Sequence, residues 1–270
     1  MPEEVVKEEV IEDVEEQIVK EVKEKKQGFD TGEWRPKTGI GKKVKNGEIS
    51  DIDEILDEGL KILESEIVDA LLPNLSTELL LIGQSKGKFG GGQRRIFKQT
   101  QKKTQEGNKP HFAIFAAVGD GNGHIGLGYG KSKETVPARE KAIRKAKLNV
   151  IKIRRGCGSW RCGCREPHTI PFSVKGKCGS AEIELIPAPK GTGLRVEGEC
   201  GKILKLAGIK DVWSRTEGQT RTKTNLVMAC FYALQNLIKM KVPIKYFESL
   251  GIVEGKITEK VEENEQDSSN

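Results

Sequence analysis

Val118–Lys131 reads VGDGNGHIGLGYGK. So dense a run of glycine between apolar residues excludes a helix. HFAIFAAV (His111–Val118) precedes it, and after Asp120-Gly121-Asn122-Gly123 a second run follows, His124–Tyr129. Asp-Gly and Asn-Gly between apolar runs mark a β-hairpin, because these residues accept the positive φ of a tight turn. Gly126, Gly128 and Gly130 alternate along the second strand. They leave one face bare, open to close approach by another backbone. With Lys131 and Lys133 beside it, RNA is the expected approacher. A dinucleotide or P-loop cradle is disfavoured, since its glycines must lead from a strand into a helix N-terminus.

Basic segments lie on both sides. Gln84–Lys109 carries eight Lys/Arg and one acid around Gly90–Gly92, and is expected as a long basic loop that builds no core. Thr135–Ile153 is predicted helical, with Thr135 as cap and Pro137 in the first turn. Ala138, Ala142, Ile143, Ala146, Val150 and Ile153 form its buried stripe. Arg139, Lys141, Arg144, Lys145, Lys147 and Lys152 populate the rest. Upstream, Ile52, Ile55, Leu56, Leu60, Leu63, Ile67 and Leu71 recur at helical steps through Ser50–Leu72, with Gly59 as a break and Pro73 as the end. Leu79–Ile82 is a short strand. Helix, three strands and a basic helix is the order of a double-stranded-RNA-binding domain.

Downstream, residues 156–168 make a Gly/Cys-rich junction. A second domain follows. Strands are expected at Thr169–Cys178 and Ala181–Ala188 around a Gly179-Ser180 turn. Pro187–Arg195 is a loop, Gly201–Ala207 a short helix, Lys210–Arg215 a strand and Thr224–Met240 an apolar helix. The fold class is α+β in two domains. Their bounds are a 1–47 extension, residues 50–155, the 156–168 junction, residues 169–242 and an acidic tail at 254–270.

The formal charge of +6 is unevenly spread: residues 1–26 carry −5 and 254–270 carry −4, leaving +15 between. A basic body with acidic ends suggests a polyanionic partner. Residues 1–27 are expected to be a mobile acidic extension. Trp34–Gly47 is a basic linker, either a solvated connector or an arm that orders on RNA. No apolar run reaches the ~20 residues of a membrane span, and the acidic start is not a signal peptide. The expected location is cytoplasmic.

Cys157-x4-Cys162-x-Cys164, with His168 close behind and Cys178 further on, offers thiolate and imidazole ligands of the kind structural zinc takes. The spacing is not the paired C-x-x-C of ribbons and fingers. Zinc on Cys157, Cys162, Cys164, His168 or Cys178, and reduced cysteines in a tight loop, both stay open; no cofactor is otherwise required. The three histidines, His111, His124 and His168, have no nucleophile and carboxylate in a recognisable spacing, so no enzyme is expected. The RNA-facing candidates are Lys86, Lys88, Arg94, Arg95, Lys98, Asn122, His124, Lys131, Lys133, Arg144, Lys145, Arg154 and Arg155.

VGDGNGHIGLGYGKSKE, the basic helix after it, IRRG at Ile153–Gly156, PHTIPF at Pro167–Phe172, GKCGSAEIELIPAPKGTGL and LAGIKDVWSRTEGQTRTKTN together resemble the universal small-subunit ribosomal protein S-five family. CGSWRCGC and the GEISDIDEIL lead-in resemble its archaeal branch. The likeness covers roughly residues 50–240; the loop Gly83–Lys109 is longer than the family's usual turn. The resemblance implies a double-stranded-RNA-binding-like first domain and a β-β-α-β-α second domain with a left-handed crossover. It implies small-subunit ribosomal RNA as partner, a place beside the messenger RNA entry channel, and an influence on decoding accuracy. It also implies docking on neighbouring proteins S-four and S-eight. Lys190, Gly191, Thr192, Gly193 and Lys202 resemble the surface toward S-four, and Thr220–Lys223 is a candidate for S-eight or RNA. The alternative is a free double-stranded-RNA-binding regulatory protein.

Overall fold

The computed structural model describes residues 34–85 and 94–256. The acidic 1–27 segment, Lys86 and Lys88 with the Gly90–Gly92 triplet, and the tail after residue 256 lie outside them.

The expected basic linker is instead folded. Trp34 is buried, and Glu64 gathers the segment by accepting from Trp34 Nε1 at 3.2 Å and from the N–H groups of Lys37 and Thr38 at 2.8 and 2.5 Å. Thr38 then caps α1 (Gly39–Lys45), its Oγ1 accepting from the Gly41 N–H at 3.1 Å. Glu64→Ala removes three hydrogen bonds at once, at a cost of about 1–3 kcal/mol. The α1 amides will then exchange with deuterium roughly ten- to a hundredfold faster. Unchanged protection of Gly41–Lys45 refutes the anchor.

The helical pattern of 50–72 splits into α2 (Ile52–Asp57) and α3 (Ser65–Leu71), with Gly59 at φ +69° between them. Leu60 and Leu63, expected in the stripe, lie in the linking turn and are exposed. Ile52, Ile55, Ile67 and Val68 pack on Trp34 and Val150 in a small core of their own.

The first sheet has five strands rather than three. They are β1 (Ser76–Leu79), β2 (Phe97–Thr104), β3 (Gly107–Gly119), β4 (His124–Ser132) and β5 (Val150–Lys152). β4 and β5 follow β3 in order, while β1 and β2 both pair along its other edge, β1 at 116–119 and β2 at 107–114. Much of the expected loop 84–109 is therefore strand, and Ile96 and Phe97 are buried in it. The hairpin of β3 and β4 closes at Asp120–Gly123 as expected.

α4 (Thr135–Leu148) follows; Glu134, not Thr135, occupies the cap position. The helix stops five residues before the expected end. Asn149 ends it, donating from Nδ2 to the Leu127 carbonyl at 3.1 Å, and the β-branched Val150-Ile151 continue as β5. α4 seats on the bare face of β4. A Cβ at Gly126, Gly128 or Gly130 would come within 2.2, 2.1 and 2.1 Å of the Ala146, Ala142 and Ala138 carbonyl oxygens. The backbone that approaches those glycines is the helix, which corrects the expectation that RNA does.

β6 (Arg154–Arg155) leads to the junction. The second sheet holds β7 (Val174–Cys178), β8 (Ala181–Pro187), β9 (Leu194–Arg195) and β10 (Val212–Glu217) in the order β7-β8-β10-β9. β9 and β10 are parallel, joined through α5 (Gly198–Leu206). α6 (Lys223–Lys239) buries Leu226, Val227, Cys230, Phe231, Leu234 and Leu237. This is the expected β-β-α-β-α with one short strand added.

Alternation along β3 and β4 sends Phe115, Ala117, Ile125 and Leu127 to the face opposite α4. There they join Ile203, Leu204 and Leu206 of α5 in one continuous apolar cluster with the second sheet. The hairpin turn is part of this joint: the Gly121 N–H donates to the Leu206 carbonyl at 2.8 Å. After α7 (Ile244–Leu250), β11 (Val253–Glu254) returns to pair with β6. Glu254, expected in the tail, is thus part of a clasp on the first domain.

Candidate RNA-facing sheet and cysteine cluster

Residues directly opposite in an antiparallel ladder share a face. The register sets Lys98 against Ala113 and Ala113 against Lys131, with Thr100 opposite His111 and Lys102 opposite Lys109. Lys98, Lys102, Lys109 and Lys131 are therefore aligned on one sheet face beside His111, and all four are exposed. This is the face whose other end docks the second domain; here it is open. Tyr129 lies on it with its ring 5.0 Å from Phe115. Lys109 meets Glu106 at 2.6 Å in an exposed pair. A groove lined by His111, Lys131, Lys133, Glu134, Pro137 and Lys141 runs from the sheet to α4, where Lys141, Arg144 and Lys145 are exposed. Lys102 and Lys109 were missed in the sequence because their alignment requires β2. FKQTQKKT carries no apolar period that would mark it as a strand.

Others among the expected RNA-facing residues point inward. Arg155 is buried and donates to Asn122 Oδ1 at 2.9 Å and to the Gly255 carbonyl at 3.0 Å. Arg154 pairs with Glu254 at 2.5 Å and donates to the carbonyls of Leu237 and Met240. Arg94 is half-buried against the Gly83 carbonyl at 3.4 Å, and Arg95 is half-buried. Arg154 and Arg155 thus close the joint with the returning chain, whereas Arg94 bonds within its own loop.

His124 is only 1% exposed. Its Nδ1 lies 2.6 Å from Asp120 Oδ2 and its Nε2 2.9 Å from Asp53 Oδ1. Burial alone would lower its pKa; the hydrogen bonds to Asp120 and Asp53 prevail and raise it to about 9. Both carboxylates are held below their ordinary value against the effect of burial, chiefly by the same ring. His124 is thus an imidazolium donating to two carboxylates, with no nitrogen left for a phosphate.

The PAPKGTGL loop carries Gly191 and Gly193 at φ +90° and +72°. Lys190 pairs with Glu166 at 2.7 Å and Lys202 with Glu199 at 3.0 Å. Glu199 also accepts from the Leu81 N–H at 2.7 Å, another tie between the sheets.

Cys157, Cys162, Cys164 and His168 bring their ligand atoms within 4.8 Å of one another. Cys162 Sγ is 3.4 Å from Cys164 Sγ and 3.8 Å from His168 Nε2, and Cys164 Sγ is 3.6 Å from Cys157 Sγ. Cys178 takes no part; it ends β7 opposite Ala181. Trp160, at the tip of the same loop, is 81% exposed with the Arg161 guanidinium 4.5 Å from its ring centroid. No helix among the described residues is long and apolar enough to cross a membrane.

Comparison with known proteins adds an independent finding. Residues 96–154 match the family described as "Ribosomal protein S5, N-terminal domain", and residues 176–245 match "Ribosomal protein S5, C-terminal domain". A small ribosomal subunit protein uS5 of Nanoarchaeum equitans is 50% identical over 228 residues, covering 84% of this chain and 98% of that protein. Its counterpart in Methanocaldococcus jannaschii is 50% identical over 230 residues, covering 85% and 99%. The Methanosphaera stadtmanae uS5 is 48% identical over 227 residues, covering 84% and 93%.

Proposed function

Because the chain belongs to the ribosomal protein S5 family, we propose that it is a non-enzymatic constituent of the small ribosomal subunit that grips subunit RNA with the open face of its first sheet. The observation that carries this reading is the alignment of Lys98, Lys102, Lys109 and Lys131, continued by Lys133, Lys141, Arg144 and Lys145. Ammonium groups spaced across a sheet neutralise successive phosphates without reading bases, which suits binding by shape and charge. The face sits on a rigid mount, since α4 backs the sheet and the second domain holds its other end. On the same reading the protein works in the cytoplasm beside the messenger RNA entry channel and supports decoding accuracy. The loop Lys190–Gly193 with Lys202 docks on S-four. Thr220–Lys223 faces S-eight or RNA.

Filter binding of small-subunit ribosomal RNA at graded salt tests the RNA face. Lys98→Gln with Lys131→Gln will reduce the slope of log affinity against log salt by about 2, one unit per lost phosphate contact, and weaken binding roughly tenfold. Lys175→Gln with Lys177→Gln, on the second sheet in pairs with Glu184 and Glu182, will leave the slope unchanged. Equal slopes for the two double variants overturn the assignment of the face. Endogenous protein found only in light sucrose-gradient fractions at moderate salt favours a free regulator over a subunit component.

A further inference from the structure

We infer that the loop between the two sheets is a zinc site, with Cys157, Cys162, Cys164 and His168 as its four ligands. Zinc bound tetrahedrally at ~2.3 Å to sulfur places its ligand atoms about 3.8 Å apart. Three of the six edges, at 3.4, 3.6 and 3.8 Å, match such a tetrahedron, the other three stay within 4.8 Å, and none of these cysteines is in a disulfide.

The histidine is prepared for the role. His168 is buried, and its Nδ1 donates to Asp211 Oδ2 at 2.8 Å. That bond fixes the tautomer and leaves the Nε2 lone pair directed at the sulfurs, the carboxylate–histidine arrangement that metal-bound imidazoles use. Asp211 is itself buried and oriented by the Gly193 N–H, which donates to its Oδ1 at 2.8 Å. The loop also holds an awkward shape to converge the donors. Arg165, immediately after Cys164, is the one non-glycine residue at positive φ among those described, at +55°. That conformation persists only where the surroundings enforce it.

On binding, each of the three thiols releases its proton and the imidazole donates as the neutral ring. All four positions are filled by protein, which makes the site structural rather than catalytic. Its location defines what it stabilises. Cys157 follows β6, whose neighbour Gly156 pairs with Thr169 across the junction. His168 reaches the PAPKGTGL loop through Asp211 and Gly193. The ion therefore ties the segment that leaves β6 to the loop assigned above to a protein partner.

Metal analysis of the full-length chain, refolded with excess zinc and desalted, decides the matter. The parent will hold about one zinc per chain, Cys178→Ser will hold the same, and Cys162→Ser or His168→Ala will lose it. Cobalt in place of zinc will give the intense visible bands and thiolate charge transfer of a tetrahedral sulfur-rich site. Less than about a tenth of an equivalent in the parent, or zinc retained when Cys162 and His168 are both replaced, overturns the site. So does a weak octahedral cobalt spectrum, a measurement on the parent that no folding defect can confound.

Discussion

Gly128→Ala will lower the thermal unfolding midpoint of the chain by roughly 6–12 °C, whereas Gly201→Ala will raise it by about 1–4 °C. Both replace a glycine inside regular structure by the smallest side chain, so β-carbon chemistry is constant and only surroundings differ. At Gly128 the new carbon would lie 2.1 Å from the Ala142 carbonyl oxygen, 2.2 Å from the Ala146 nitrogen and 2.8 Å from the Ala146 Cα. All three are backbone atoms of α4, so no side chain can swing away; the helix must lift, and the contacts of Ala138 and Ala142 with Ile114 and Ala116 open with it. Overpacking of this kind costs about 1–3 kcal/mol or more. At Gly201 nothing lies within 4 Å of the added carbon, and alanine removes conformational freedom from the unfolded chain. A Gly128→Ala midpoint within about 2 °C of the parent would mean that α4 is not seated on the glycines.

The same glycines show how far a sequence carries and where it stops. Their alternation announced a bare strand face and a closely approaching backbone, and both are present. What approaches was decided by α4, whose Ala138, Ala142 and Ala146 stripe matches the glycines at one per turn. The two patterns could have been paired from sequence, but adjacent lysines favoured RNA. β2 was hidden for a different reason. Most of FKQTQKKT is exposed on both faces, so no hydrophobic period marks it; it is a strand because β3 extends past the core and offers a ladder. The helix predicted to Ile153 failed at Asn149 because Val150 and Ile153 suit helical spacing and strand alternation alike. Cationic side chains misled most. Arg154 and Arg155 read as RNA ligands, yet their partners Glu254 and Gly255 arrive 100 residues later. Likewise Cys157, Cys162, Cys164 and His168 lack a familiar spacing, and the residue that orients the histidine, Asp211, stands 43 positions away. Local periods were legible; long-range partners were not.

His124→Gln will destabilise the chain by about 3–5 kcal/mol near pH 6, the cost of stripping one member from a buried charge cluster. Asp120 and Asp53 remain in place, the latter 71 residues distant, with no imidazolium between them. The dependence on pH separates this explanation from simple loss of packing. The folded pKa of His124, about 9, lies above its ordinary 6.5, so the folded chain holds the proton more tightly. That contribution, on the order of 3 kcal/mol, is whole below about 6.5 and is lost as pH rises through about 9. Asp53 and Asp120 are shifted the other way, below their ordinary 3.8. Their contribution is present above about 3.8 and is lost as pH falls through their folded values. Urea midpoints measured on both proteins will therefore differ most between about pH 4.5 and 6.5, and the gap will narrow on either side. Cysteines and lysines that titrate in the alkaline arm are common to both chains and cancel in the difference. A gap that stays constant from about pH 6 to 9.5 refutes the buried imidazolium. The stakes are architectural, because this ring ties α2, the turn that opens the hairpin, and through Asp53 the returning chain at Lys256, whose N–H donates to Asp53 Oδ2 at 3.3 Å. A hairpin expected to reach outward for RNA instead uses its turn to lock the joint, while Lys98, Lys102, Lys109 and Lys131 stay exposed on the open face at its far end.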